Sequence, residues 1–127
     1  MILEDEERME FIMDHYRHPH NFGTMENPTE EITEYNPVCG DAVKVSILIK
    51  DNMVQDIRFV GRGCSISQAA ASILTDEVKG KSMEELRNMT EKEHLDRIGI
   101  RLGPSREKCA ILSFNALRKM LDNYGGE

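Results

Sequence analysis

Apolar and polar residues alternate most clearly in the first half of the chain. Every odd-numbered position from 43 to 49 is Val or Ile, and most positions between them are polar. This period of two is typical of a strand with one buried face. Residues 53–60 predict the returning strand, with Asp51 and Asn52 as a two-residue hairpin turn between them. Residues 29–35 carry a weaker strand signal, so the pattern predicts a small three-stranded antiparallel sheet.

Helical spacing of apolar residues precedes and follows this sheet. Residues 4–18 predict an N-terminal helix that ends at Pro19, with Met9 and Met13 in the core. The helices expected after the sheet cover residues 67–79, a short segment opened by a capping box at 82–85, residues 90–98 and residues 109–123. His94 lies in a charged stretch, where we expect it to be solvated. The fold class predicted is α+β, with the C-terminal helices packed on one face of the sheet.

Length and charge narrow the function classes. The 127 residues, 39% hydrophobic and 31% charged, fit a single domain spanning residues 1–127. A net charge of −7 argues against nucleic acid or an anionic membrane as the main partner. No apolar run approaches the roughly 20 residues of a membrane span. The acid-rich N-terminus resembles neither a signal nor a transit peptide, so we expect a cytoplasmic protein.

The candidate chemistry lies in three cysteines. An odd number of cysteines in a reducing compartment makes a disulfide framework improbable. Cys39 precedes the central strand, Cys64 lies between the last strand and the next helix, and Cys109 is predicted to begin the last helix. Because all three lie at ends of predicted elements, we expect them to converge at one rim of the sheet.

Residues next to the cysteines favour deprotonated thiols, which can bind a metal. Cys64 and Cys109 are expected near helix N-termini, whose positive dipole end stabilises thiolates. The basic neighbours are Arg62, Arg106 and Lys108. Gly40 and Gly63, which have no side chain, would let the backbone come close to a bulky inorganic group. Asp41 adds a carboxylate. This donor set suits a tetrahedral zinc ion or an iron–sulfur cluster with one oxygen ligand; three buried apolar thiols are the alternative.

Five motifs carry a family resemblance. In chain order they are residues 14–23 (DHYRHPHNFG), 36–41 (NPVCGD), 61–67 (GRGCSIS), 78–81 (VKGK) and 106–110 (REKCA). With these motifs the chain closely resembles, over nearly its whole length, the IscU/SufU/NifU-type iron–sulfur cluster assembly scaffolds. The resemblance implies an α+β scaffold fold and a site formed by Cys39, Asp41, Cys64 and Cys109.

The resemblance also implies a function and partners. A cysteine desulfurase delivers sulfur as a persulfide, iron joins it as a transient [2Fe–2S] cluster, and apo iron–sulfur client proteins receive the cluster. Such a chain is more a carrier than a conventional enzyme. Cys109, beside Lys108 and Arg106, is the predicted persulfide acceptor. Asp41, as the one oxygen ligand, is predicted to make the cluster labile.

The chain combines features of two branches. The motifs around Cys64 and Cys109 look like the SufU branch, whose members can act as zinc-containing sulfurtransferases with Zn²⁺ on the same four ligands. SufU-type proteins have an insertion between the second and third cysteines that is absent here. IscU-type proteins have a histidine where this chain has Lys108, and a Leu-Pro-Pro-Val-Lys stretch where it has residues 102–106, which weighs against delivery through a dedicated chaperone. A zinc-dependent sulfurtransferase is therefore the alternative function.

Overall fold

The structure, a computed structural model, describes residues 5–38 and 40–124. These residues form a three-stranded sheet that follows one helix and precedes five others. The elements are α1 (Asp5–Arg17), β1 (Glu30–Asn36), β2 (Asp41–Lys50), β3 (Met53–Arg62), α2 (Ser65–Val78), α3 (Met83–Arg87), α4 (Glu91–Ile98), α5 (Pro104–Ala110) and α6 (Leu112–Tyr124). The predicted α+β class is confirmed.

The sheet is an antiparallel meander in the order β1-β2-β3. The β2–β3 connection is the predicted tight hairpin, since Asp51 and Asn52 have φ values of 55° and 64°. Two consecutive left-handed residues are the signature of a type I′ turn, which matches the twist of the flanking strands. The odd-numbered positions of β2 that predicted the strand form its buried face, with Val43, Val45 and Ile47 completely buried.

Helix α2 lies at the centre of the molecule and has buried residues on most of its surface. Ala71 on one side belongs to the main core, which α2 and α6 form with the sheet. Ala69 and Ala70 on another side belong to a second core with Ile12 of α1 and Cys109 of α5. The small alanine side chains allow helices and sheet to approach α2 closely.

The last predicted helix is wrong in its boundaries. In place of one helix over residues 109–123, α5 covers Pro104–Ala110 and α6 begins at Leu112. Pro104 lies in the first turn of α5, where its missing N–H is not needed. Ile111, with φ −96° and ψ 4°, interrupts the helical path between them. Cys109 therefore lies in the last turn of one helix instead of at the start of another.

Two other expectations are corrected by packing. His94 is completely buried, not solvated: its ring stacks on Phe114 at 5.8 Å, and its Nε2 lies 2.9 Å from the carbonyl oxygen of Ala110. Burial is the main cause that lowers the pKa of His94 to about 4. Met9 is 38% exposed and Met13 only partly buried, since α1 turns Ile12 and His15 inward instead.

The predicted capping box occurs where α3 begins, and a second one that was not predicted opens α4. In α3, the Ser82 hydroxyl accepts from the Glu85 N–H at 3.1 Å, and the Glu85 carboxylate accepts from the Ser82 N–H at 2.8 Å. Thr90 and Glu93 repeat this arrangement in α4. Among the helices within residues 5–38 and 40–124, none combines the length and apolar character needed to cross a membrane.

Candidate metal or cluster site

The fold brings three of the four predicted ligands together. Asp41 begins β2, Cys64 is the N-cap of α2, and Cys109 lies in the last turn of α5. One possible ligand atom of each lies within 4.8 Å of the others. Cys39 lies outside the described residues, two positions before Asp41 in the sequence. The convergence expected for the three cysteines is thus found for Cys64 and Cys109, with Asp41 beside them, and stays a prediction for Cys39.

Asp41 and Cys64 are in direct contact. The Cys64 backbone N–H donates to Asp41 Oδ1 at 3.2 Å, and its thiol donates to Asp41 Oδ2 at 3.3 Å. Asp41 is only 3% exposed, whereas Cys64 is exposed. The carboxylate therefore lies beneath the thiol, held by the first backbone group of α2, and the sulfur remains accessible from outside.

Gly63 makes this contact possible. Its φ of +135° lies in a region that favours glycine, and a Cβ at this position would be 2.8 Å from the Asp41 Cβ and would overlap the carboxylate. The group that Gly63 allows to come close in this structure is therefore the Asp41 carboxylate. Gly40 has a φ of +78°, but a Cβ there meets nothing within 4 Å.

Asn36 is a site residue that sequence reasoning missed. It is the last residue of β1, pairs with Asp41 across the sheet, and is only 7% exposed. Its Nδ2 lies 3.8 Å from Cys109 Sγ, and its Oδ1 accepts from the Val38 N–H at 3.1 Å. Asn36 also accepts from the Gly40 N–H at 2.8 Å through its carbonyl, and so closes the short loop that contains Cys39. The Asn-Pro pair in this motif was the available signal, since Asn in a turn commonly bonds the backbone two residues on.

A cavity of about 450 Å³ opens beside the sulfur atoms. Cys64 and Cys109 line it together with Arg106 and Lys108, two of the basic residues that the sequence places near the cysteines. Arg62 does not line this cavity. The exposed Val38, from the loop that carries Cys39, lies at the same opening. Both sulfur-bearing side chains therefore border an open cavity.

The helix-dipole argument holds for Cys64 and is wrong for Cys109. Cys64 caps the N-terminus of α2, where free N–H groups favour negative charge. Cys109 lies at the opposite, C-terminal end of α5, which disfavours a thiolate there. Lys108 follows the usual preference for a cation at that end. Stabilisation of a Cys109 thiolate therefore has to come from other sources, such as the Asn36 amide that donates to its sulfur, neighbouring cations or a bound metal.

Fold and site together define an α+β domain with a thiol–carboxylate site at one rim of its sheet. The donor set fits both groups expected from the sequence, because thiolates bind zinc and iron–sulfur clusters alike. The chain belongs to the family described as the NifU-like N-terminal domain, whose model matches residues 7–127. The resemblance seen in the five motifs is confirmed.

Curated relatives represent both branches. The chain is 38% identical over 125 residues to the zinc-dependent sulfurtransferase SufU of Bacillus subtilis, covering 85% of this chain and 84% of that protein. It is 33% identical over 122 residues to the iron–sulfur cluster assembly scaffold protein IscU of Escherichia coli K12, covering 91% of each.

A solved structure from Fervidobacterium islandicum AW-1 has a similar fold. It is described as an iron–sulfur cluster assembly scaffold protein for the SUF system, and matches with a TM-score of 0.77 and 27% identity over 88% of this chain and 94% of that one. A NifU-like N-terminal domain from Brucella abortus matches with a TM-score of 0.75 at 18% identity, over 93% and 94% of the two chains, which supports the fold alone.

Proposed function

We propose that this chain is a scaffold that assembles a labile [2Fe–2S] cluster from iron and desulfurase-derived sulfur and passes it to apo-proteins. The observation that carries this proposal is the convergence of Asp41, Cys64 and Cys109 within 4.8 Å beside an open cavity. With Cys39, they are the proposed ligands of the cluster, which is cargo and not a permanent part of the protein. The whole chain, residues 1–127, is proposed to act as one domain.

Temporary binding is favoured by the composition and exposure of the ligands. A carboxylate is a hard ligand among soft thiolates, so Asp41 holds iron less firmly than a fourth thiolate would. Cys64 is exposed, and the cavity reaches Cys109. A site meant to retain a cluster would instead favour four sulfur ligands and burial. The thiols also need a reducing compartment, which supports a cytoplasmic location.

Sulfur is proposed to arrive through the cavity from a cysteine desulfurase. The Cys109 thiolate attacks the outer sulfur of the desulfurase persulfide, a new sulfur–sulfur bond forms, and the desulfurase thiolate leaves as the old bond breaks. The Cys109 proton passes to solvent before the attack. Arg106 and Lys108 line the approach and attract the anionic persulfide.

A second candidate function is a zinc-dependent sulfurtransferase that accepts persulfide sulfur. The 38% identity to a protein of that name supports it, as does Lys108 in place of the histidine of IscU-type chains. In this case Cys39, Asp41, Cys64 and Cys109 would hold Zn²⁺. When bound, the zinc would keep the cysteine sulfurs deprotonated at neutral pH.

Anaerobic purification with elemental analysis and a visible absorption spectrum separates the two functions. The scaffold proposal expects iron and acid-labile sulfide on the protein, with cluster transfer to an apo-ferredoxin. Zinc alone, together with stimulation of a cysteine desulfurase and no cluster transfer after reconstitution, would instead establish the sulfurtransferase. Substituting Cys39, Cys64 or Cys109 by Ser should sharply lower the bound metal in either case, and full retention by one variant would exclude that cysteine from the site.

The role of Asp41 has its own test. Wild type and Asp41→Ala are reconstituted with iron and sulfide, and the visible absorbance is followed during transfer to an apo-ferredoxin. If Asp41 is the cause of lability, its removal slows the release of an assembled cluster, even though one ligand fewer weakens the equilibrium binding of metal. Equal release rates would show that Asp41 is not the cause of lability.

A further inference from the structure

A second group of metal-ligand side chains lies at the other end of α2. His15 on α1, His20 in the segment after α1, and Asp76 in the last turn of α2 each offer a nitrogen or oxygen atom within 4.8 Å of the others. Twelve residues separate Asp76 from Cys64 along the helix, which corresponds to roughly 18 Å. The group is therefore separate from the thiol–carboxylate site.

Neighbouring residues hold the His15 side chain, the His20 backbone and the Asp76 side chain by hydrogen bonds. The hydroxyl oxygen of Ser72, which is completely buried, lies 2.7 Å from His15 Nδ1 and accepts from the His20 backbone N–H at 2.8 Å. Asn21 Nδ2 donates to Asp76 Oδ1 at 3.0 Å. Metal-binding histidines and carboxylates in proteins are commonly held by such outer hydrogen bonds, which fix the ring orientation and the tautomer.

These hydrogen bonds leave suitable ligand atoms. When His15 Nδ1 donates to the Ser72 hydroxyl, the lone pair of the ring is at Nε2. Burial is the main cause that lowers the pKa of His15, and the nearby His20 adds to it. On Asp76, Oδ2 faces His20 Nδ1 at 2.5 Å. A metal ion between these two atoms would replace their direct contact and bind both groups.

We propose that His15, His20 and Asp76 bind a divalent first-row transition metal ion, with water in the remaining coordination positions. Two imidazoles and one carboxylate form a common donor set for zinc and for ferrous iron. His15 is a rigid anchor because it is only 6% exposed. The His20 and Asp76 side chains are 48% and 46% exposed, which leaves them room to move closer around a metal ion.

The charges around the group are compatible with a cation. Glu77 and Arg97 border the same shallow cavity, and Arg97 Nη2 lies 3.1 Å from Glu77 Oε2. Glu77 Oε2 also lies 3.1 Å from Lys81 Nζ, so this carboxylate is shared between two cations and offsets part of the arginine charge. Asp14 adds a negative charge close enough to act on His15. The backbone of the segment carrying His20 is held as well, because the Phe59 N–H donates to the Asn21 carbonyl at 3.1 Å.

Nuclear magnetic resonance of the four histidines of the chain provides a direct test. Zinc is first added until the thiol site is filled, and is then titrated further. Imidazole signals of His15 and His20 are expected to shift together and saturate, while His18 and His94 serve as internal controls. His18 is exposed and only two residues from His20, so it reports any unspecific binding to this surface.

Variants make the test decisive. His20→Ala and Asp76→Asn change exposed groups, and each is expected to weaken this second zinc-binding event at least about tenfold, with His18→Ala as the matched control. Circular dichroism verifies folding, and the wild-type titration stands if a variant fails to fold. Absence of a saturable shift at His15 and His20, or equal weakening by His18→Ala, would overturn the proposal. The outcome does not depend on which function the thiol site performs.

Discussion

Replacing Gly63 by Ala tests whether a side chain of one carbon displaces Asp41 from the site. The added Cβ would lie 2.8 Å from the Asp41 Cβ and would overlap the carboxylate. Asp41 must then turn away and lose its two contacts with Cys64, the N–H at 3.2 Å and the thiol at 3.3 Å. We expect the variant to lose both stability and metal affinity.

The magnitude follows from two contributions. Holding a non-glycine residue in this backbone region costs about 1–3 kcal/mol. Weakening the hydrogen bonds of a buried carboxylate costs a further 1.5–3 kcal/mol or so. We therefore expect Gly63→Ala to lower the free energy of unfolding by about 2.5–6 kcal/mol. Metal affinity should fall at least about 10- to 100-fold, the effect usually seen when a residue that supports a ligand is lost.

Gly80→Ala is the matched control for the backbone. Gly80 also has a positive φ, +88°, but a Cβ there meets nothing within 4 Å. This variant should lose about 1 kcal/mol, because left-handed strain is partly offset by the lower entropy of the unfolded chain. Urea unfolding measures the stability of both variants, and competition with a chelator measures zinc affinity. If Gly63→Ala bound zinc as tightly as Gly80→Ala, the close approach of Gly63 would not control the position of Asp41.

Three further predictions concern His94, the helix cap at Thr90, and Lys108. The pKa of His94 is about 4 in the folded protein, whereas the unfolded chain binds the proton near pH 6.5. The contribution of the neutral, buried ring to the free energy of unfolding is therefore complete above about pH 6.5 and is lost as the pH falls toward 4. Urea unfolding should thus show that wild type loses about 2–3 kcal/mol more than His94→Gln between roughly pH 7 and 4.5, and parallel pH profiles would contradict this. Thr90→Ala removes the cap of α4 and should cost about 1 kcal/mol in thermal or urea unfolding, with no change in bound metal. Lys108 lies beside the cavity, so Lys108→Ala should slow sulfur transfer from a desulfurase to Cys109 and make the transfer rate less sensitive to salt than in wild type. An unchanged rate at low salt would remove Lys108 from sulfur capture.

Sequence patterns predicted the sheet and the first helix well because the signals there are local. The alternation over residues 43–49 requires one face to be buried, and two residues with positive φ values close the hairpin. The predicted capping box at Ser82 likewise depends on a neighbour three residues away. Such signals depend on only a few neighbouring residues, so they predict local structure without knowledge of the rest of the fold.

The misplaced elements depend on contacts between distant segments. His94 lies in a charged stretch, yet α6 supplies Phe114 for its ring and α5 supplies a carbonyl oxygen for its Nε2. Met9 has the spacing of a core residue, but α1 instead directs Ile12 and His15 toward α2. Periodicity reports which side of a helix is apolar, and it cannot report which neighbouring element will cover that side.

The sequence by itself determined the donor types: three cysteines, Asp41 beside the first of them, and the glycines that flank the site. These follow from the motifs, because the chemistry of a ligand belongs to its side chain. Only the tertiary structure decided that Asp41 lies beneath Cys64, that Asn36 contacts Cys109, and that His15, His20 and Asp76 meet at the far end of α2. The physical reason is that these pairs are separated by tens of residues in the chain, so their distances are set by how α2 packs between the sheet and α1 and not by any local pattern.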